Sequence, residues 1–327
     1  MFFNLFIKYF ILLNLLILTM FSLFINDLMN IWLIMEINNF LFISYISFSI
    51  KNKKMIFFYY LIQIIPSMIL IFSISLNNMN LFNKNILDML IYLSLMIKLG
   101  IPPFHFWMPL ISTYLNWNEL FFLITFQKII PFYMLSMINL KFYLILSSIM
   151  LCAIIPPFMM MNLTNLKKLL MYSSINQLGW MILLIYFKNI IWFYYMIMYS
   201  LITMMIFYIL SFKKFYYNYV NNSNLYYNMI MLMIMMNMAS IPPFSFFMFK
   251  WFSIFIIIFN SNLFIIMLIM IMSSFLMFFM YMNMIYLIMF NNLMKSKLLN
   301  LNIMNFNFLN MILFMIILFF SLFMFIM

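Results

Sequence analysis

Apolar stretches of about twenty residues follow one another along the chain, each closed by a few polar positions. A helix of about 20 apolar residues crosses a hydrocarbon layer of about 30 Å. A membrane barrel would instead show alternating segments of about 10 residues, and these stretches do not alternate. The pattern predicts eleven spans, at about 2–23, 29–50, 55–76, 86–107, 119–138, 142–160, 168–187, 190–212, 225–259, 262–290 and 308–327. The fold class that follows is an all-α polytopic membrane protein, with residues 1–327 as one membrane domain. The ninth stretch is too long for one simple helix, and its proline pair at 242–243 predicts two half-helices. The fourth is broken in the same way at 102–103, and its second half runs on into the next segment.

The polar closures test the count. If the N-terminus and the even-numbered loops share one side, that side holds Lys8, Lys51, Lys53, Lys54, Lys167, Lys168, Lys213, Lys214, Lys295 and Lys297. The other side holds only Lys84, Lys141 and Lys188. Ten against three is a positive-inside bias, and merging or splitting one span would scramble it. Composition adds the compartment. The chain has no arginine, a single valine (Val220) and 43 methionines, a usage that fits AT-rich codons and a mitochondrial code. No Arg-rich, Ser-rich presequence opens it. The expectation is a multi-pass protein of the mitochondrial inner membrane, N-terminus in the matrix and C-terminus in the intermembrane space.

Composition also excludes. With 69% hydrophobic and 6% charged residues and a mean hydropathy of +1.18, no soluble fold is indicated. One cysteine, Cys152, and one histidine, His105, cannot build an iron–sulfur or zinc site from this chain alone. Two glycines, Gly100 and Gly179, leave no glycine-rich nucleotide loop. The net charge of +12 is scattered between apolar runs as topology signals are, so nucleic acid is not an expected partner.

Setting the thirteen loop lysines aside leaves Lys98, Lys128 and Lys250 inside predicted spans, together with Glu36. A charge at the bilayer centre costs roughly 2.5–3.5 kcal/mol, and such residues usually face a protein interior or water and mark an ion path. The alternative is snorkelling to an interface. Asp27, Asp88 and Glu119 lie at span ends and read as interfacial. Proline cannot bond the carbonyl four residues back, so Pro102 and Pro103 free those of Lys98 and Leu99, and Pro242 and Pro243 free those of Met238 and Ala239. Pro131 does the same for Gln127, beside Lys128. Bare carbonyls at membrane depth belong in protein or in a wet cavity.

The two breaks are 140 residues and five spans apart, so the second crosses the membrane in the opposite direction. Paired broken helices of this kind suggest an inverted repeat, 1–138 against 142–290, with 308–327 outside it. A third Ile-Pro-Pro-Phe at 155–158 reads as a helix end. The lysines are not equivalent: Lys98 precedes its proline pair by four residues and Lys250 follows its own by seven.

MIKLGIPPFHFWMP (96–109), FQKIIP (126–131), LTNLKKLLMYSSINQLGWM (163–181), SIPPFSFFMFKW (240–251) and WLIMEINNF (32–40) resemble, over about 30–255, the NADH dehydrogenase subunit 2 family of mitochondrial complex I, which is similar to cation/proton antiporters. The resemblance implies a proton-translocating subunit of NADH:ubiquinone reductase. It implies Glu36 and Lys98 as a carboxylate–ammonium pair, Lys128 as the central lysine and Lys250 as the lysine of the second break. His105 is either on the water path or a packed ring beside Trp107. The family often has glycine before the second proline pair and proline before its lysine, where this chain has Ile241 and Phe249. No cofactor or metal site and no redox site is expected in this chain. NAD, FMN, iron–sulfur clusters and ubiquinone are expected in the rest of the complex. Expected partners are other complex I subunits, especially antiporter-like neighbours, and lipids. Rival readings are a free-standing cation/proton antiporter and a non-pumping structural subunit.

Overall fold

The computed structural model describes residues 2–50, 52–79, 83–138, 141–161, 163, 165–187, 191–212, 225–242, 244–260 and 263–295. The expected eleventh span, Pro243, and Lys51, Lys188, Lys213, Lys214 and Lys297 lie outside them. The described residues form thirteen helices and no strand. Among the described residues, seven stretches are long and apolar enough to cross a membrane. Four elements match expected spans closely: α1 (Phe2–Ser22), α2 (Leu28–Ser47), α3 (Lys53–Asn78) and α8 (Phe142–Met160). So do α9 (Leu166–Tyr186), α10 (Ile191–Phe212) and α13 (Phe264–Lys295). The fourth span is α4 (Lys84–Leu99) followed by the short α5 (Trp107–Ser112), and the ninth is α11 (Leu225–Met238) followed by α12 (Ser245–Asn260).

The fifth span departs from expectation. It is two helices, α6 (Trp117–Ile124) and α7 (Phe126–Met137), interrupted at Thr125. Pro131 sits inside α7. The cause lies at Thr125, whose N–H and Oγ1 both donate to the Phe121 carbonyl, at 3.0 and 2.7 Å. A threonine that back-bonds in this way bends a helix. The third Ile-Pro-Pro-Phe also behaves differently, because α8 continues past Pro157 to Met160.

Packing is ordered around α9. Its residues 169–185 are all buried, including Ser173, Ser174, Asn176 and Gln177. A helix apolar or uncharged on every side belongs in the interior. It packs on α5, α7, α8, α10, α12 and α13. Gly179 lets α8 approach, since a Cβ there would lie 3.0 Å from the Cys152 Cβ. Outer faces are apolar, as lipid requires: on α3, Leu61, Ile65, Met68 and Phe72 are exposed while Gln63, Ser67 and Leu70 are buried.

Cross-helix contacts fix which helix ends share a face. The Lys8 ammonium lies 4.0 Å from Glu119, and Lys167 donates to the Leu115 carbonyl at 2.5 Å. The starts of α1, α6 and α9 are therefore together. Tyr133, near the end of α7, donates to the Ile25 carbonyl in the first loop at 3.0 Å. All three contacts agree with the alternation of loops read from the lysines. They also add to the reading of Glu119 as an interfacial residue, because at that face it is covered by protein. It is 1% exposed, and it accepts the Asn116 backbone N–H at 3.0 Å and side-chain amide at 3.3 Å. Nearness to a span end does not reveal that two other helix starts close over it.

Candidate functional site

The first break places Lys98. Helix α4 ends where Gly100 takes φ 66°, a left-handed position that glycine enters without penalty. The Gly100 N–H bonds the Ile97 carbonyl at 3.2 Å and the Ile101 N–H bonds Met96 at 3.0 Å, the crossed pair of a Schellman cap. The Trp107 indole, returning on α5, donates to the same Ile97 carbonyl at 3.2 Å and ties the two halves together. Lys98, in the last turn of α4, is 5% exposed and donates to Glu36 Oε1 at 2.7 Å. The pair joins α4 to α2 across 62 residues of sequence.

The second break repeats that backbone 140 residues later. The Ser240 N–H bonds Asn237 at 2.9 Å and the Ile241 N–H bonds Met236 at 3.4 Å. The next turn also matches, since Phe104 bonds Ile101 and Phe244 bonds Ile241, each at 2.9 Å. The left-handed residue is now Ser240, φ 55°. Asn237 takes the freed end of α12, its Oδ1 accepting the Phe246 N–H at 3.3 Å. Lys250 on α12 is 6% exposed, donates to Ser240 Oγ at 2.7 Å and lies 5.9 Å from the centre of the Trp180 ring.

Lys128 sits between them. It lies three residues after the Thr125 interruption, is 2% exposed, and donates to Ser174 Oγ on α9 at 3.3 Å. A cavity of about 10 Å³ is lined by both Lys98 and Lys128, with Asn39, Tyr59, Gln63 and Gln127 among its walls. That is about the room one water needs. From Lys128 the route to Lys250 crosses α9, from Ser174 to Trp180, about 9 Å along the axis at 1.5 Å per residue.

Glu36, Lys98 and Lys128 are thus brought into one connected region, with Lys250 on the far side of α9. His105 is buried but does not line the cavity between the lysines. Its ring packs on Phe106, at 4.2 Å, and faces Tyr172, at 6.1 Å. Charge alone directs attention to four residues and passes over Asn39, Gln63, Gln127, Ser174 and Ser240. Their signal is an uncharged polar residue in mid-span, which is weaker because such residues also serve packing.

Residues 25–277 match the family described as NADH:quinone oxidoreductase/Mrp antiporter, TM. The chain belongs to that family. Among similar family members, NADH-ubiquinone oxidoreductase chain 2 of Anopheles gambiae is 33% identical over 242 residues, 69% of this chain and 70% of that one. The protein of the same name from Rhipicephalus sanguineus is 35% identical over 275 residues, 76% and 80% of the two chains. In fold, the chain is similar to one in a structure of respiratory complex I from Thermus thermophilus with bound aureothin. The TM-score is 0.75 at 16% identity, covering 86% of this chain and 70% of that one.

Proposed function

We propose that this chain is a proton-translocating membrane subunit of mitochondrial NADH:ubiquinone oxidoreductase, carrying protons along Glu36, Lys98, Lys128 and Lys250. The observation that carries the reading is the buried Lys98, paired with a half-buried Glu36, lining a one-water cavity together with Lys128. A charge pair in low dielectric works as a switch. With Glu36 at 2.7 Å the Lys98 ammonium is compensated. Drawing the carboxylate away leaves a buried charge unpaired, a state worth several kcal/mol. Lys98 escapes that cost by releasing its proton, through a water, to the free amine of Lys128. Lifting a proton against roughly 150–200 mV takes about 3.5–4.6 kcal/mol, which lies within that range.

Beyond Lys128 the proton would pass α9, where Asn176 Nδ2 and Trp180 Nε1 are buried without a partner among the described residues. Buried donors of this kind are commonly satisfied by water. The repeated backbone at the two breaks supports reading 1–138 and 142–290 as inverted repeats, a frame for alternating access from the two faces. The redox chemistry would belong to other subunits of the complex, which are this chain's partners in the inner membrane. The loop lysines support an N-terminus in the matrix.

Glu36→Gln tests the switch. The amide keeps the shape and loses the charge, so protons moved per NADH oxidised should fall steeply while the complex still assembles. An assembled Glu36→Gln complex that pumps at the full ratio would remove the switch.

A further inference from the structure

Among the described residues, Ser240 is the one non-glycine at positive φ, a conformation in which an L residue's Cβ crowds the following carbonyl. The first break uses glycine at the matching position and is free of that crowding. The difference between them lies in what each lysine has for company. Lys98 has Glu36. Lys250 has no carboxylate among the described residues, and the chain's four acids, Asp27, Glu36, Asp88 and Glu119, all precede residue 120. Its ammonium needs an oxygen, and the break supplies one.

We propose that Ser240 is a positioning residue for Lys250, holding the ammonium at the break through its hydroxyl. The hydroxyl works in both directions. It accepts from Lys250 Nζ at 2.7 Å and donates to the Ala239 carbonyl at 2.7 Å. The Ala239 carbonyl has no amide four residues on, because position 243 is proline. One side chain therefore satisfies one of the two oxygens freed by the proline pair and links it to the lysine ten residues downstream, on the other half-helix. A glycine at 240 would relieve the backbone and leave both ends of that chain of bonds unmade. The proposal rests on the reading of Lys250 as part of the proton path.

The test is a set of variants in the intact complex, read as protons moved per NADH oxidised, with the yield of assembled complex measured beside it. Ser240→Gly removes strain and hydroxyl together. Ser240→Ala removes the hydroxyl alone. Ser240→Asn keeps a side-chain oxygen and suits the left-handed region. A positioning role predicts that Gly and Ala each lower pumping about tenfold, the size of one charge-assisted hydrogen bond, while Asn recovers a large part. It also predicts that the Gly variant assembles at least as well as the parent. A merely structural serine predicts the opposite order, with Gly the best variant and pumping following yield throughout. Full pumping by Ser240→Gly, or a Gly variant that fails to assemble, overturns the proposal. Lys250→Met separates the two readings. If it stops pumping while Ser240→Gly does not, Ser240 alone is wrong; if Lys250→Met pumps fully, the role of Lys250 is wrong and the proposal falls with it.

Discussion

The two breaks are built on one backbone and furnished with different chemistry. Gly100 and Ser240 take the same left-handed turn, with the same crossed hydrogen bonds behind it and the same single bond ahead. At the first break the lysine lies before the turn and is neutralised by a carboxylate from another helix. At the second it lies after the turn and is held by a hydroxyl of the turn itself. The backbone makes a polar spot at membrane depth. The side chains decide whether the charge there is paired.

The largest expected contrast comes from one substitution made at both sites. Lys98→Met strands a half-buried Glu36, so beyond stopping proton transfer it should destabilise the protein, by less than the roughly 3–5 kcal/mol of a fully buried pair. Lys250→Met strands no charge. It should stop transfer equally and be neutral or stabilising by up to about 2.5–3.5 kcal/mol, the burial cost it removes. Thermal unfolding of the two assembled variants measures the difference, and equal destabilisation would erase the distinction between the breaks.

Gly100→Ala is next. A Cβ there meets the left-handed penalty of about 1–2 kcal/mol and lies 2.4 Å from Met108 Cε, which must move. Ser240→Ala carries no new backbone penalty, because a Cβ is already present. Ser240→Ala loses instead the hydroxyl's bonds to the Ala239 carbonyl and to Lys250. Both variants are therefore expected to lower the Tm, Gly100→Ala through backbone strain and Ser240→Ala through unmade hydrogen bonds, and an unchanged Tm for Gly100→Ala would mean that the first turn does not need its glycine.

Away from both breaks, Glu119→Gln should lower stability by about 1 kcal/mol, since it weakens the charge-assisted bonds to Asn116 and the approach of Lys8. Protons moved per turnover should not change. A selective loss of pumping would enlist the Lys8–Glu119–Lys167 cluster in proton entry.

Much of this was legible because proline and lysine are unambiguous in an apolar chain. Proline pairs located both breaks, and charges inside spans singled out Glu36, Lys98, Lys128 and Lys250 as candidates. Other features were not legible, for physical reasons. The Thr125 interruption carries neither proline nor glycine, and its cause is a hydroxyl that bonds back along the helix. Ser240 looks like any serine until its φ is known. Burial of Glu119 depends on α1 and α9, which are distant in sequence and close in space. His105 reads as chemistry because histidine is rare here, yet its ring lies against Phe106 rather than in the cavity between the lysines.

The most direct measurement is proton pumping by an assembled complex carrying Lys128→Arg. Lys128 faces the one-water cavity on one side and Ser174 of α9 on the other, so every proton on the proposed path must rest on it. Arginine keeps the charge but does not release a proton in a protein, its pKa exceeding 12. A relay through Lys128 predicts that pumping is lost in an otherwise assembled complex, as it would be with methionine. Pumping at the parental ratio in the arginine variant would contradict it.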